Sequence, residues 1–184
     1  INVVNGGAGS VTFQNAPYVS GNQDLGVASG SGGIAVNSSL TIGTGTLRLT
    51  TLGAITQNAG AITANIVGLS AGTDITLARP TNDVTTLAAQ TTAGNLSFTD
   101  TNGFSIGSVG LTSDGFHPAI VGLSAAGTIT LQSGGLVTQT QRILASALSL
   151  QGSGPYQLTH GANDVTTLAA NTTGNVQYTD FDSL

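Results

Sequence analysis

Along most of this chain the apolar residues come in couplets with one residue between them. Examples are Ile34/Val36, Leu40/Ile42, Leu47/Leu49, Ile62/Ala64, Ile75/Leu77, Leu96/Phe98, Phe104/Ile106, Ile129/Leu131, Leu148/Leu150 and Val176/Tyr178. Successive side chains of an extended chain point to opposite faces, so each couplet marks two inward positions of a short strand around one outward residue. Couplets commonly follow one another after six to ten residues, and the gaps carry Gly, Asn, Asp, Ser and Thr, which turn a chain. Strands this short bury little as hairpins. No Asn-Gly or Asp-Gly joins two long alternating runs as a meander requires.

A longer period overlies the couplets. Asn82 to Asp100 reads NDVTTLAAQTTAGNLSFTD, and Asn163 to Asp180 reads NDVTTLAANTTGNVQYTD. Upstream, Ile55 to Leu77 matches Val137 to Leu158; Ile62 pairs with Ile143, Leu69 with Leu150 and Val84 with Val165, all at an offset of 81. A shorter echo links VGLSAGTDITL at Val67 with VGLSAAGTITL at Val121. Three strands of about seven residues each make a coil of roughly 20 residues, and four coils make the long period. The pattern therefore predicts an all-β fold, a parallel β-helix (β-solenoid) of about 20 residues per coil. Roughly nine coils at ~4.8 Å each give a rod of about 43 Å. On this reading Asn82-Asp83 and Asn163-Asp164 share one corner, four coils apart, and Val84 and Val165 face the same side on parallel strands.

Composition agrees. The chain has 184 residues, 27 of them Gly, with no Lys, Glu, Cys, Met or Trp. Charged residues are only 6% of the total, yet Val, Ile, Leu and Thr are abundant enough to build a core. Helix formers are scarce and β-branched residues plentiful. Like charges stacked coil upon coil would repel, so a solenoid face favours neutral Thr, Ser and Asn. The net charge of −5, with three Arg as the only bases, argues against nucleic acid and anionic membrane surfaces as partners. No apolar run approaches the ~18 residues of a spanning helix, so membrane insertion is not expected. The absence of cysteine excludes a disulfide framework and a thiolate metal site. The opening INVVNGGAGS is neither an initiator Met nor a signal peptide, so the whole of residues 1–184 reads as one solenoid segment of a longer chain, with repeat copies over approximately 55–109 and 137–184.

The succession ITQ…GAITA…LSA…ITL…NDVTTLAA…GNLSFTD…FSIG, from about Thr41 onward, resembles the repeat region of filamentous-haemagglutinin-like bacterial exoproteins of the two-partner secretion route. The resemblance implies a right-handed β-helix shaft on a secreted, cell-surface protein, an outer-membrane β-barrel secretion partner, and adhesion or biofilm roles. The motifs of the N-terminal secretion domain of such proteins are not evident here.

Candidate chemistry is sparse. Asp83, Asp100, Asp164 and Asp180 are possible paired carboxylates; a retaining glycosidase holds such a pair about 5–5.5 Å apart. They recur with the repeat, however, which favours turn-forming Asp and identifies Asn82, Asp83, Asn163 and Asp164 as structural corners. GSGG at Gly30 to Gly33 lacks the Asp of a calcium nonapeptide, and His117 and His160 lie too far apart in sequence for a zinc site, so no metal, cofactor or catalytic residue is assigned. Both His are expected in exposed loops or turns. The stretch SDGFHPAIVG, Ser113 to Gly122, breaks the regular beat and forms either an irregular corner or a loop for binding through Asp114, Phe116 and His117. Thr-x-Thr at Thr44/Thr46, Thr99/Thr101, Thr128/Thr130 and Thr138/Thr140 is not spaced by whole coils, so no ladder of such pairs is expected.

The leading functional expectation is a non-enzymatic structural or adhesive shaft. Its partners are host or neighbouring-cell surface glycans or proteins, or further copies of itself in a matrix or fibre. The alternatives are a carbohydrate-active β-helix enzyme and a Thr-rich water- or ice-binding solenoid.

Overall fold

The couplets do form strands, and the strands do stack. The computed structural model describes every residue except Ser113, Asp114, Phe116 and Ser183. Among the described residues there is no helix, and all strand pairs but one are parallel. The chain winds as a β-solenoid of about nine turns with strands stacked about 20 residues apart.

From Leu40 to Asp100 the coils alternate a long strand with a short one. Leu40–Thr51, Ile62–Ala71 and Asp83–Thr91 are long; Ile34–Val36, Ile55–Gln57, Ile75–Leu77 and Leu96–Asp100 are short. The long strands cover two sides of the coil and the short strands the third. Parallel register lines the couplets up in columns. One runs Val11, Ile34, Ile55, Ile75, Leu96, Ile129, Leu148, Leu168. Another runs Val27, Leu49, Leu69, Ala89, Leu123, Ile143. From Leu25 to Leu158 the inward members are almost completely buried in one continuous core. Full burial of each Val, Leu or Ile is worth about 1.5–3 kcal/mol, which offsets the entropy of ordering so Gly-rich a chain.

One coil is interrupted. Ser105–Ile106 stacks on Thr86 and Leu87, and Leu123–Ser124 stacks on Ala89 and Gln90. Only one residue, Ala88, separates the two landing points. Between them the chain leaves the rod over residues 107–122, pinched at its base by the Gly122 N–H donating to the Gly107 carbonyl at 2.8 Å. The excursion contains the one antiparallel pair among the described residues, Ser108–Val109 with Ile120–Val121. It folds back onto the outside of the long strands, where Val109 and Ile120 bury Ala88 and pack with Ile66.

The lane beneath it is made of small residues except at Arg48. Gly26, Arg48, Gly68 and Ala88 stand in register. A Cβ on Gly68 would lie 3.1 Å from Val109 Cγ1, and one on Gly26 would lie 2.6 Å from His117 Nε2. His117 is 1% exposed, and its Nδ1 is 2.9 Å from Thr50 Oγ1. The expectation of an exposed His117 is therefore wrong: its imidazole is buried against the outside of the rod, over Gly26. Asp114 and Phe116, the other residues of the suggested binding loop, lie outside the described residues.

The excursion also changes the phase of the repeat. Asp83 stands in the column Thr41, Thr63, Asp83. Asp164 stands in the column Ser70, Gln90, Ser124, Leu144, Asp164. The two corners, and with them Val84 and Val165, are thus three turns and one side apart, on different sides of the rod, not four turns apart in one column. The strands remain parallel. The residues that leave the rod at 107–122 do not contribute to winding, so equal sequence spacing no longer means equal rotation.

Candidate functional site

The repeated corners carry a buried amide network. Asn82 and Asn163 are both 0% exposed. Asn82 Oδ1 accepts from the Ile62 N–H at 2.9 Å and from Gln57 Nε2 at 2.7 Å. Its Nδ2 is within donating distance of Gln57 Oε1 (3.0 Å), Leu77 O (3.2 Å) and Thr99 O (3.2 Å). One side chain thereby ties three successive coils. Asn163 repeats the arrangement with Ile143, Gln139, Leu158 and Thr179. The Gln partners were missed by the sequence reading, although the ITQ and VTQ upstream of the two corners, 82 residues from each other, carry the signal.

The repeated Asp residues are caps. Asp100 is 2% exposed and accepts from the Val84 N–H at 2.9 Å and the Asn102 N–H at 3.1 Å. Burial pushes its carboxyl up to about 6, while these two hydrogen bonds pull it down and the neighbouring Asp83 adds a smaller upward push. Asp180 takes the same place in the second copy, accepting from the Val165 N–H at 3.3 Å and from the Tyr178 hydroxyl at 2.7 Å. Burial, and then Asp180, raises the Tyr178 phenol. Repetition of the cap, and its engagement by backbone N–H groups, give the enzyme reading no support from the Asp83–Asp100 pair.

The cap at Val84 has a consequence for shape. Asp83 and Val84 pair with Thr63 and Ala64 on the coil below, but pairing with the coil above starts only at Thr86 with Ser105. Where the missing rung would lie, a groove of about 500 Å³ opens between the Asp83–Thr91 strand and residues 135–138. Asp83, Thr85, Asn102, Ser105 and Thr138 line it with oxygen and amide groups. Val84, Phe104 and Leu136 supply apolar surface, and Leu136 is 44% exposed. Asn102 Nδ2 donates to Asp83 Oδ1 at 3.1 Å, and Asn102 Oδ1 accepts from the Gly103 N–H at 2.7 Å, so both planar groups are held in place.

A second surface is a column of small outward residues: Thr12, Ala35, Thr56, Thr76, Ser97, Thr130, Ser149, Ala169. Four are Thr, two Ser and two Ala, and none is charged. Of the Thr-x-Thr pairs, only Thr128/Thr130 contributes to this column. The remaining titratable groups are scattered. Arg48 pairs with Asp24 at 3.3 Å, and His160 accepts through Nδ1 from the Ala162 N–H at 3.2 Å and is half-buried. Among the described residues no three His, Cys, Asp or Glu converge on a metal site. No family model, curated protein or solved structure matches this chain.

Proposed function

We propose that this chain is a shaft segment of a large secreted bacterial surface protein, built to span distance and to present a neutral surface for adhesion or matrix assembly. The observation that carries the reading is the twice-written Asn–Gln network. The most buried polar groups of the chain are spent on binding coil to coil, and both copies are used in the same way. A rod of stacked coils with outward Thr, Ser and Asn is suited to reach and to broad contact. The resemblance to filamentous-haemagglutinin-like repeats supports the same role and adds export through an outer-membrane partner.

The test is adhesion. Beads coated with the chain are expected to attach to cell surfaces or to one another, with no turnover of polysaccharide in solution. Inert beads, or release of oligosaccharides, would contradict the reading. The Thr/Ser/Ala column favours one second reading, a water-ordering face. That reading requires inhibition of ice recrystallisation which Thr76→Lys abolishes.

A further inference from the structure

The groove beside Asp83 has a chemistry of its own. It offers a fixed carboxylate, a fixed amide and three hydroxyls, from Thr85, Ser105 and Thr138, around an exposed apolar residue, Leu136. Carboxylate and amide groups suit vicinal hydroxyl groups as acceptor and donor, and an apolar patch suits the C–H face of a sugar ring. Its charged lining group is Asp83, with the buried Asp100 behind it and no Arg among the lining residues. Phosphate, sulfate and uronate would meet repulsion there. The volume falls within the usual range of small-ligand sites, about 300–1,000 Å³, and the groove is open to solvent. No second free carboxylate faces Asp83 across it, since the Asp100 oxygens accept from Val84 and Asn102.

We propose that this groove is a binding site for an uncharged glycan, holding one neutral hexose unit by its hydroxyls against Asp83 and Asn102 with its apolar face on Leu136. The proposal rests on the adhesive reading and names its ligand class. The site binds without cleaving.

The test is titration of the full chain, isotope-labelled for NMR, with neutral glucan and mannan oligosaccharides and with sulfated and uronate-containing ones. Neutral sugars are expected to shift the amides of residues 83–85, 102–105 and 135–138. Asp83→Ala should weaken binding about ten-fold or more, the effect of losing one hydrogen bond to a charged group. Leu136→Ser should weaken it too, and Thr76→Val, on the short-strand side, should leave it unchanged. Since Asp83 and Leu136 are exposed, the unperturbed remainder of each spectrum verifies the fold. The proposal is overturned if no neutral sugar binds, if the shifts map elsewhere, if the Asp83 and Leu136 variants bind normally, or if anionic sugars bind more tightly. Beads that still adhere without binding neutral sugar would sink this inference alone. Beads that adhere to nothing would sink the adhesive reading as well.

Discussion

Removing the Asn82 side chain tests whether the corner network holds successive coils together. Asn82→Ala deletes every bond of that carboxamide: to Ile62, to Gln57 in both directions, to Leu77 and to Thr99. The Ile62 N–H is left buried without its acceptor, which costs about 1–3 kcal/mol. Gln57, 7% exposed, keeps its bond to the Gly60 carbonyl at 3.1 Å but loses both bonds to Asn82, a cost of similar size. With the two carbonyls weakened as well, the expected loss is about 3–5 kcal/mol, at the upper end for single substitutions. Urea unfolding followed by far-UV circular dichroism reads the total. Hydrogen exchange at the Ile62 amide reads the local part. Asn58→Ala is the control: its side chain is exposed and donates to Asn37 Oδ1 at 2.8 Å, so about 0.5 kcal/mol or less is expected. A loss below about 1 kcal/mol for Asn82→Ala, or equal losses for the two variants, would refute the role given to the corner.

Three further outcomes are expected. Replacing residues 107–122 by a single serine should leave a folded rod, because Ile106 and Leu123 land on Leu87 and Ala89 with one residue between; loss of the sheet signal would show that the excursion is part of the winding. Gly68→Val should push Val109 off the rod and speed proteolysis within 107–122; unchanged proteolysis would mean that the lane does not seat the hairpin. Asp100 titrates at about 6 when folded and about 3.9 when unfolded. Its contribution to stability is therefore full below about pH 4 and is lost as pH rises through about 6. Asp100→Asn should remove that part of the slope, and parallel pH profiles of urea midpoint for the two proteins would contradict it.

Much of the winding was legible in the sequence because inward and outward alternation is a local property. Leu47/Leu49 or Leu148/Leu150 need only their own neighbours to be read as inward. The corners were legible because Asn-Asp is written twice in the same setting. What was not legible depends on contacts between distant segments. Gly26, Gly68 and Ala88 look unrelated until register places them in one lane, so the docking of His117 had no contiguous signal. The break in the beat was visible from Ser113, but the chain departs earlier, at Gly107, because Gly107–Leu111 still reads like ordinary strand and turn. That hidden start also carried the phase error between Asp83 and Asp164. Of the groove, Asp83 was singled out as a corner, whereas the notch itself arises from a missing rung that no composition reveals.

The central claim is that the coils stack in register along one axis. Since the chain has no cysteine, Ala35→Cys with Ala169→Cys gives a unique pair for spin labelling on the outward column of the short-strand side. The six rungs between them place the two backbone sites about 29 Å apart at ~4.8 Å per rung, so pulsed electron resonance should return one narrow distance near that value once label length is included. A much shorter distance, or a broad distribution, would contradict the rod.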